Sequence, residues 1–239
     1  MADFKTHMLG AALVSGVAAT AVNIVGAASN QQTADYFMLG VMGGLLPDID
    51  SDTSIPVQIA SKVLSVIAAF VVVFHFSQRW SLVELIGIGL LTFVFVRYAV
   101  FGIFTHFTAH RGVFHTIPAG LIFGLLTTLI SRRIFDQPPI HTWFCGIFVA
   151  LGFYVHLLLD ELYSVNLMGA QLKKSFGTAF RLWCRDNLIG SAALYLAVIL
   201  LFYLSPPTDG IRQVLFSGTT YQQLHQRFWP HGGWFGGLF

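Results

Sequence analysis

The sequence carries little charge. Only 10% of its 239 residues are Asp, Glu, Lys or Arg. A water-soluble domain carries about 25% charged residues. Hydrophobic residues make up 55% of the chain, and the mean hydropathy is +0.71. This composition argues against a water-soluble protein and predicts a protein that crosses the membrane several times.

Basic runs and cysteines are also scarce. The formal net charge is only +2, and no stripe of Lys and Arg suggests nucleic-acid binding. The two cysteines, Cys145 and Cys184, have neither the number nor the spacing of a disulfide framework or a zinc knuckle. Only one Lys precedes the first apolar segment, and cleavage after it would discard His7, so we do not expect a signal peptide.

Long apolar segments fill most of the chain. A membrane-spanning helix needs about 20 residues, and segment 34–47 is shorter and glycine-rich. We therefore predict an all-α, polytopic membrane bundle of six or seven helices within residues 1–204, followed by an aromatic, Gly-rich tail at 205–239. The segments lie at about 8–28, 34–47, 57–76, 82–104, 114–131, 141–160 and 188–204.

Polar clusters of metal-ligand residue types lie at the ends of these segments. Up-and-down threading, with 34–47 crossing, brings all of them to one membrane face. Ionisable residues are costly at the membrane boundary and are by default candidates for function. The threading also predicts the N-terminus on the same side as the 161–187 loop, and Lys and Arg slightly favour the cytoplasm for that side. The clusters are His7, Asp48 with Asp50, His110-Arg111 with His115, and His156 with Asp160.

Two of these clusters have simple structural alternatives. His156 and Asp160 are four residues apart, which places both side chains on one face of a helix. This spacing suits two metal ligands, but it suits a structural His–Asp hydrogen bond equally well. Asp48 and Asp50 follow Pro47, which ends a helix. Their carboxylates are suitable ligands for divalent ions, although a solvated acidic turn is the alternative.

The densest polar motif runs from His110 to His115. Its two imidazoles are candidate metal ligands, and Arg111 offers a planar fork for carboxylate or phosphate. An interfacial basic loop is the alternative interpretation. His7 becomes a candidate only through the other clusters. Four further histidines have no partner at ligand spacing and are left out of the predicted site: His75, His141, His225 and His231.

These motifs, in their order and spacing, resemble the YdjM-like family. The resemblance covers most of residues 1–185 and rests on Thr6-His7, Leu45–Asp50, His110-Arg111-Gly112, His115-Thr116 and His156–Asp160 followed by Gly169. Ile117 departs from the family pattern, in which a Ser follows the Thr. The family is described as bacterial inner-membrane, metal-dependent hydrolases, a description that rests on a distant likeness to zinc-dependent phospholipases. The resemblance implies metal ligands at His7, Asp48, Asp50, His110, His115, His156 and Asp160.

Seven ligands exceed the four of a tetrahedral zinc ion. They suit two divalent ions about 3.5–4 Å apart, with Asp48 or Asp50 as the bridging carboxylate. Zinc fits the histidine-rich set best, with manganese or iron as alternatives. With Arg111 holding an anion, the expected substrate is a phosphoester of a membrane lipid or another amphiphile.

Two other functions remain open. One is a non-catalytic membrane protein with a structural or regulatory metal site, which is normally closed by its ligands. The other is a metal or proton transporter, which needs polar residues that continue to the far membrane face. Segments 57–76, 114–131 and 188–204 have almost no polar interior residues, which argues against such a path.

Overall fold

Helices dominate the structure. The computed structural model describes residues 4–50, 62, 65–66, 68–70, 72–73, 76, 80–100, 115–166, 171–172, 180–183 and 188–228. Within these ranges the strands are a two-residue antiparallel pair, β1 (Val165–Asn166) and β2 (Gln171–Leu172). The expectation of an all-helical protein is thus confirmed. The α-helices whose bounds the structure describes are α1 (Phe4–Ile24), α2 (Asn30–Gly43), α3 (Leu82–Val94), α4 (Ile117–Arg133), α5 (Pro139–Ser164), α6 (Leu188–Leu204), α7 (Asp209–Phe216) and α8 (Gly218–Phe228).

Local sequence signals explain where several helices begin. Ser29 starts α2 with a capping box, in which the Ser29 and Gln32 side chains accept hydrogen bonds from each other's backbone. Pro118 lies in the first turn of α4 and Pro139 is the first residue of α5. Proline is favoured there because the first turn of a helix has no partner for its N–H groups.

Two of these helices are followed by a short turn of a different helix type. Pro47 lies just beyond α2 and opens a short 3-10 turn, Pro47–Asp50. Residues Phe95–Val100 continue α3 as a π-helical turn. The 3-10 turn contacts the helix bundle and so brings the acidic Asp48 back to it.

Helix α5 is the centre of the bundle. It packs against α1, α2 and α4, and its large side chains Phe144, Phe148, Phe153 and Leu157 are almost completely buried. Each fully buried Phe or Leu contributes about 1.5–3 kcal/mol in a water-soluble protein, whereas in a lipid bilayer close packing replaces that driving force. Because α5 is held by three other helices, its polar residues are held in place with it.

Three described helices are long and apolar enough to cross a membrane: Phe4–Ile24, Leu82–Ala99 and Pro139–Tyr163. A fourth span results if α6 and α7, which meet at a bend of 101°, are counted as one. Helix α2 has 14 residues, or about 21 Å of helix, against a bilayer core of about 30 Å. Most of segment 57–76 lies outside the described residues, so six or seven spans remain a prediction.

The predicted C-terminal tail begins at the bend after α6. The indole Nε1 of Trp143 donates hydrogen bonds to the carbonyl oxygens of Pro206 and Pro207, at 3.2 and 3.1 Å. Ile211 of α7 is buried in the same apolar cluster as Tyr36 and Trp143. Helix α7 therefore covers the end of the bundle at which α5 begins.

Candidate metal centre

Four separate elements converge at the opposite end of α5. Helix α1 contributes His7 from its first turn, and α5 contributes His156 and Asp160 near its end. The 3-10 turn contributes Asp48. His115 comes from the segment that leads into α4, one residue before its N-cap. Since α1 begins and α5 ends at this point, the two helices run antiparallel.

The buried part of the cluster consists of His7, His156 and Asp160, which are 1%, 0% and 4% exposed. One candidate ligand atom from each lies within 4.8 Å of the other two. The two oxygens of Asp160 face different partners. Oδ1 is 3.3 Å from Nε2 of His7, whereas Oδ2 is 3.7 Å from Nε2 of His156.

Asp48 and His115 extend the cluster toward its surface. Oδ1 of Asp48 is 3.5 Å from Nε2 of His156, and Nε2 of His115 is 3.9 Å from Oδ2 of Asp160. The side chain of Asp48 is 37% exposed and that of His115 is 12% exposed. The centre is therefore closed toward α5 and accessible beside Asp48.

The imidazole rings pack closely together. The rings of His7 and His156 are stacked, with centroids 3.6 Å apart and planes 10° from parallel. The ring of His115 approaches that of His156 edge-on at 6.1 Å. Two positively charged rings stacked in a buried place would repel each other, so the geometry favours neutral imidazoles, the form that binds metals.

A backbone contact determines the tautomer of His156. Its Nδ1 is 2.8 Å from the carbonyl oxygen of Gly44. A carbonyl can only accept, so Nδ1 carries the proton and Nε2 of the neutral ring presents a lone pair. That lone pair faces the carboxylates of Asp48 and Asp160, which also have no hydrogen to donate when ionised. A hydrogen bond from imidazole to backbone carbonyl is a common outer-shell feature of metal-binding histidine.

The positions of the candidate ligand atoms fit a divalent ion. Among the described residues, no hydrogen bond reaches Nε2 of His156 or Nδ1 of His7, although both atoms are buried. The separations of 3.3 to 3.7 Å between nitrogen and carboxylate oxygen exceed a normal charge-assisted hydrogen bond of about 2.7–2.9 Å. They match two ligands of one tetrahedral zinc ion, each about 2.1 Å from the metal and so about 3.4 Å apart.

Three of the predicted site residues cannot be placed. His110 and Arg111 lie outside the described residues, and the side chain of Asp50 is likewise not described. Their roles therefore stay predictions. The structure brings together the other five predicted ligands: His7, Asp48, His115, His156 and Asp160.

Sequence reasoning missed two features that bear on the site. The Gly44 carbonyl is a backbone group, and no side-chain pattern points to it. The other feature is a buried histidine near the start of α5, His141, whose Nδ1 is 2.6 Å from the hydroxyl of Tyr36 and whose Nε2 is 3.8 Å from the sulfur of Cys145. Cys145 follows His141 by four residues, so the expectation that His141 has no partner at ligand spacing was wrong, and this spacing could have revealed the pair.

A family model described as YdjM inner membrane protein matches residues 1–205. The chain belongs to that family, which confirms the resemblance seen in its motifs. No curated protein matches the chain, and no solved structure does. The match ends just before the bend that leads into α7.

Proposed function

We propose that this member of the YdjM inner membrane protein family is a membrane-bound metal-dependent hydrolase that cleaves a phosphoester of a lipid or another amphiphile. The observation that carries the proposal is the orientation of His156. Its Nδ1 donates to the Gly44 carbonyl, and its Nε2 lone pair faces two carboxylates with no hydrogen bond from any described residue. Hydrogen-bond acceptors that meet in a buried space repel one another unless a cation lies between them.

Asp160 is the best candidate for a carboxylate shared by two ions. Its Oδ1 faces His7, and its Oδ2 faces both His156 and His115. A carboxylate that divides its oxygens in this way suits a two-metal site with ions about 3.5–4 Å apart. We therefore propose that Asp160 would bridge the ions, in place of Asp48 or Asp50, which the sequence favoured. Zinc is the preferred ion because three imidazoles belong to the set.

The chemistry follows from the donor set. Divalent ions held here would lower the pKa of a bound water and stabilise the attacking and leaving oxygens of a phosphoryl transfer. Asp48, on the exposed side, lies where a substrate would enter, and Asp50 follows it in the same turn. Arg111 is proposed to hold a phosphoryl oxygen with its planar guanidinium. No protein nucleophile is needed.

The position of the cluster supports an amphiphilic substrate. His7 lies in the first turn of one candidate span, and Asp160 lies in the last turn of another. Ligands at helix ends are at the level of the lipid headgroups if both helices cross the bilayer. A lipid headgroup could then reach Asp48 while its acyl chains remain in the membrane.

A structural metal site is the second candidate. The observation that favours it is the nearly complete burial of His7, His156 and Asp160, because structural sites are normally closed by their ligands. The exposure of Asp48 argues for the catalytic alternative, since catalytic sites keep a position open to substrate. Turnover therefore separates the two candidates.

The proposal is tested by the metal content and turnover of detergent-purified protein. We expect bound zinc in the wild type, and phosphate-ester hydrolysis against a panel of phospholipids and polyprenyl phosphates. Asp160→Asn keeps the size of the side chain but removes its charge, so it should lose both metal and activity. Asp136→Asn is the matched control, because Asp136 is an exposed acid paired with Arg132. Metal-loaded wild type without turnover would favour the structural site.

Arg111→Lys separates metal binding from catalysis. Lysine keeps the positive charge but loses the planar fork. We expect unchanged metal content and a fall in kcat of about 100-fold, which is the scale of removing one preorganised donor to a developing anion. Undiminished turnover would remove Arg111 from the mechanism.

A further inference from the structure

Position 44 favours glycine because neighbouring helices leave no room for a side chain there. Its backbone conformation would allow any residue. Its φ of −67° and ψ of −13° are ordinary right-handed helical values, which any residue adopts. A Cβ at this position would overlap the Cβ of Ala11 on α1 and would lie 3.4 Å from the carbonyl oxygen of Gly152 on α5. Three elements therefore meet at Gly44 with no room for a methyl group.

The approach of α5 to α2 is just as close. A Cβ at Gly152 would overlap the carbonyl oxygen of Gly40 and lie 2.7 Å from the backbone nitrogen of Gly44. Small residues let helix backbones approach closely in membrane proteins. The Ala11–Gly44–Gly152 contact is therefore a point at which the backbones of α2 and α5 touch each other.

This contact lies one helical turn from two candidate ligands. Gly152 precedes His156 by four residues on α5, and Ala11 follows His7 by four residues on α1. The Gly44 carbonyl reaches Nδ1 of His156 at 2.8 Å. A Cβ at Gly44 would displace the end of α2, and that displacement would lengthen the hydrogen bond to His156.

We propose that the Ala11–Gly44–Gly152 contact is a positioning element of the metal centre. It holds the Gly44 carbonyl at His156 Nδ1, and so directs the Nε2 lone pair toward the carboxylates of Asp48 and Asp160. A second observation points to a ligand at this place: Nε2 of His156 is buried and has no hydrogen bond among the described residues. The inference rests on the proposed metal centre and adds backbone groups to it.

Loss of an outer-shell partner of a metal ligand lowers metal affinity by about 10–100-fold. We therefore expect Gly44→Ala in the full-length, detergent-purified protein to bind Zn²⁺ about 10–100-fold more weakly than the wild type. Removing the opposing methyl group should restore the space, because Ala11 Cβ is the atom that the new Cβ would overlap. The double variant Ala11→Gly/Gly44→Ala should thus regain affinity close to that of the wild type.

Gly146→Ala is the matched control. Its Cβ would overlap Thr128 Oγ1 and the carbonyl oxygen of Gly124, where α5 meets α4. That contact is as tight as the one at Gly44 but does not touch the histidines. We expect Gly146→Ala to lower thermal stability while keeping Zn²⁺ affinity within a few fold of the wild type. An equal loss of Zn²⁺ affinity in both variants would overturn the proposal, because packing alone would then explain it.

A second readout reports the tautomer directly. In the metal-free wild type, ¹⁵N NMR of the histidine rings should show His156 protonated at Nδ1, assigned by the signal lost in His156→Ala. Gly44→Ala should shift that signal toward a mixture of tautomers, and the double variant should reverse the shift. An unchanged signal in Gly44→Ala would refute the positioning role.

The two measurements, Zn²⁺ affinity and the His156 tautomer, distinguish failure of this inference from failure of the proposed function. A wild type that binds no Zn²⁺ contradicts the metal centre, whereas the tautomer measurement still decides whether Gly44 positions His156. If Gly44→Ala does not accumulate as folded protein, Ala11→Ser provides a smaller expansion at the same contact. It should give a weaker loss of Zn²⁺ affinity in the same direction, and unaltered affinity would overturn the proposal.

Discussion

Helix α5 carries one buried histidine at each end, and the two are used differently. Both are followed four residues later by a residue of metal-ligand type, Cys145 after His141 and Asp160 after His156. At His141, both ring nitrogens have partners that carry hydrogen, the Tyr36 hydroxyl and the Cys145 thiol. At His156, one nitrogen donates to a backbone carbonyl. The other faces carboxylates and has no hydrogen bond within the described part of the chain.

The difference teaches that burial and spacing do not identify a ligand. Both histidines are buried and both have a partner at the same spacing. What separates them is the count of donors and acceptors around the ring. The His141 network alternates donors with acceptors and is satisfied without an ion, whereas acceptors predominate around Nε2 of His156, an arrangement that suits a bound cation.

The largest expected effect concerns the two ends of α5 themselves. If Pro139–Tyr163 crosses the membrane, then reporters placed just before and just after it lie on opposite faces. Fusions after Arg133 and after Lys174 should give opposite, all-or-none signals with a paired cytoplasmic and periplasmic reporter. Equal signals would contradict the topology, and with it the common membrane face of the clusters.

The next effect separates the two histidines by metal binding. His156→Ala removes a proposed ligand. We therefore expect Zn²⁺ affinity to fall by about 100-fold or more, since loss of an outer-shell partner alone lowers affinity by up to about 100-fold. His141→Ala should leave Zn²⁺ affinity unchanged, although it disturbs a buried network. Calorimetric titration of both purified variants measures this. Metal loss in His141→Ala alone would reverse the assignment of the two clusters.

The smallest effect is a change in stability at the His141 end. Tyr36→Phe removes the hydroxyl and leaves a buried imidazole nitrogen without its partner, which lowers the free energy of unfolding by about 1–3 kcal/mol. Tyr221→Phe is the control, since the hydroxyl of Tyr221 bonds to Leu215 at the protein surface. Denaturation in detergent should distinguish the two, with metal content unaltered in both. A loss of metal in Tyr36→Phe would show that the two ends are coupled.

Several features were predictable because they depend on local patterns. Low charge and long apolar segments identified a helical membrane protein, and the motif order identified its family, which the match over residues 1–205 confirms. Pro47 was expected to end a helix, and α2 does end before it. These features depend on a residue and its near neighbours, which the sequence displays directly. The number of spans was harder to predict, because the length of a short helix such as α2 does not show whether it crosses the membrane or only packs within the bundle.

The sequence by itself determined that this is a helical membrane protein of its family, and that His156 and Asp160 share one helix face. Only the tertiary structure decided which partners they meet there. The division of the Asp160 oxygens between His7 and His156 depends on how α1 packs on α5, and the tautomer of His156 depends on the backbone of Gly44. The contacts of His7 with Asp160 and of Gly44 with His156 join residues more than 100 positions apart in the chain. A backbone carbonyl is the same in every residue, so no side-chain pattern can reveal it.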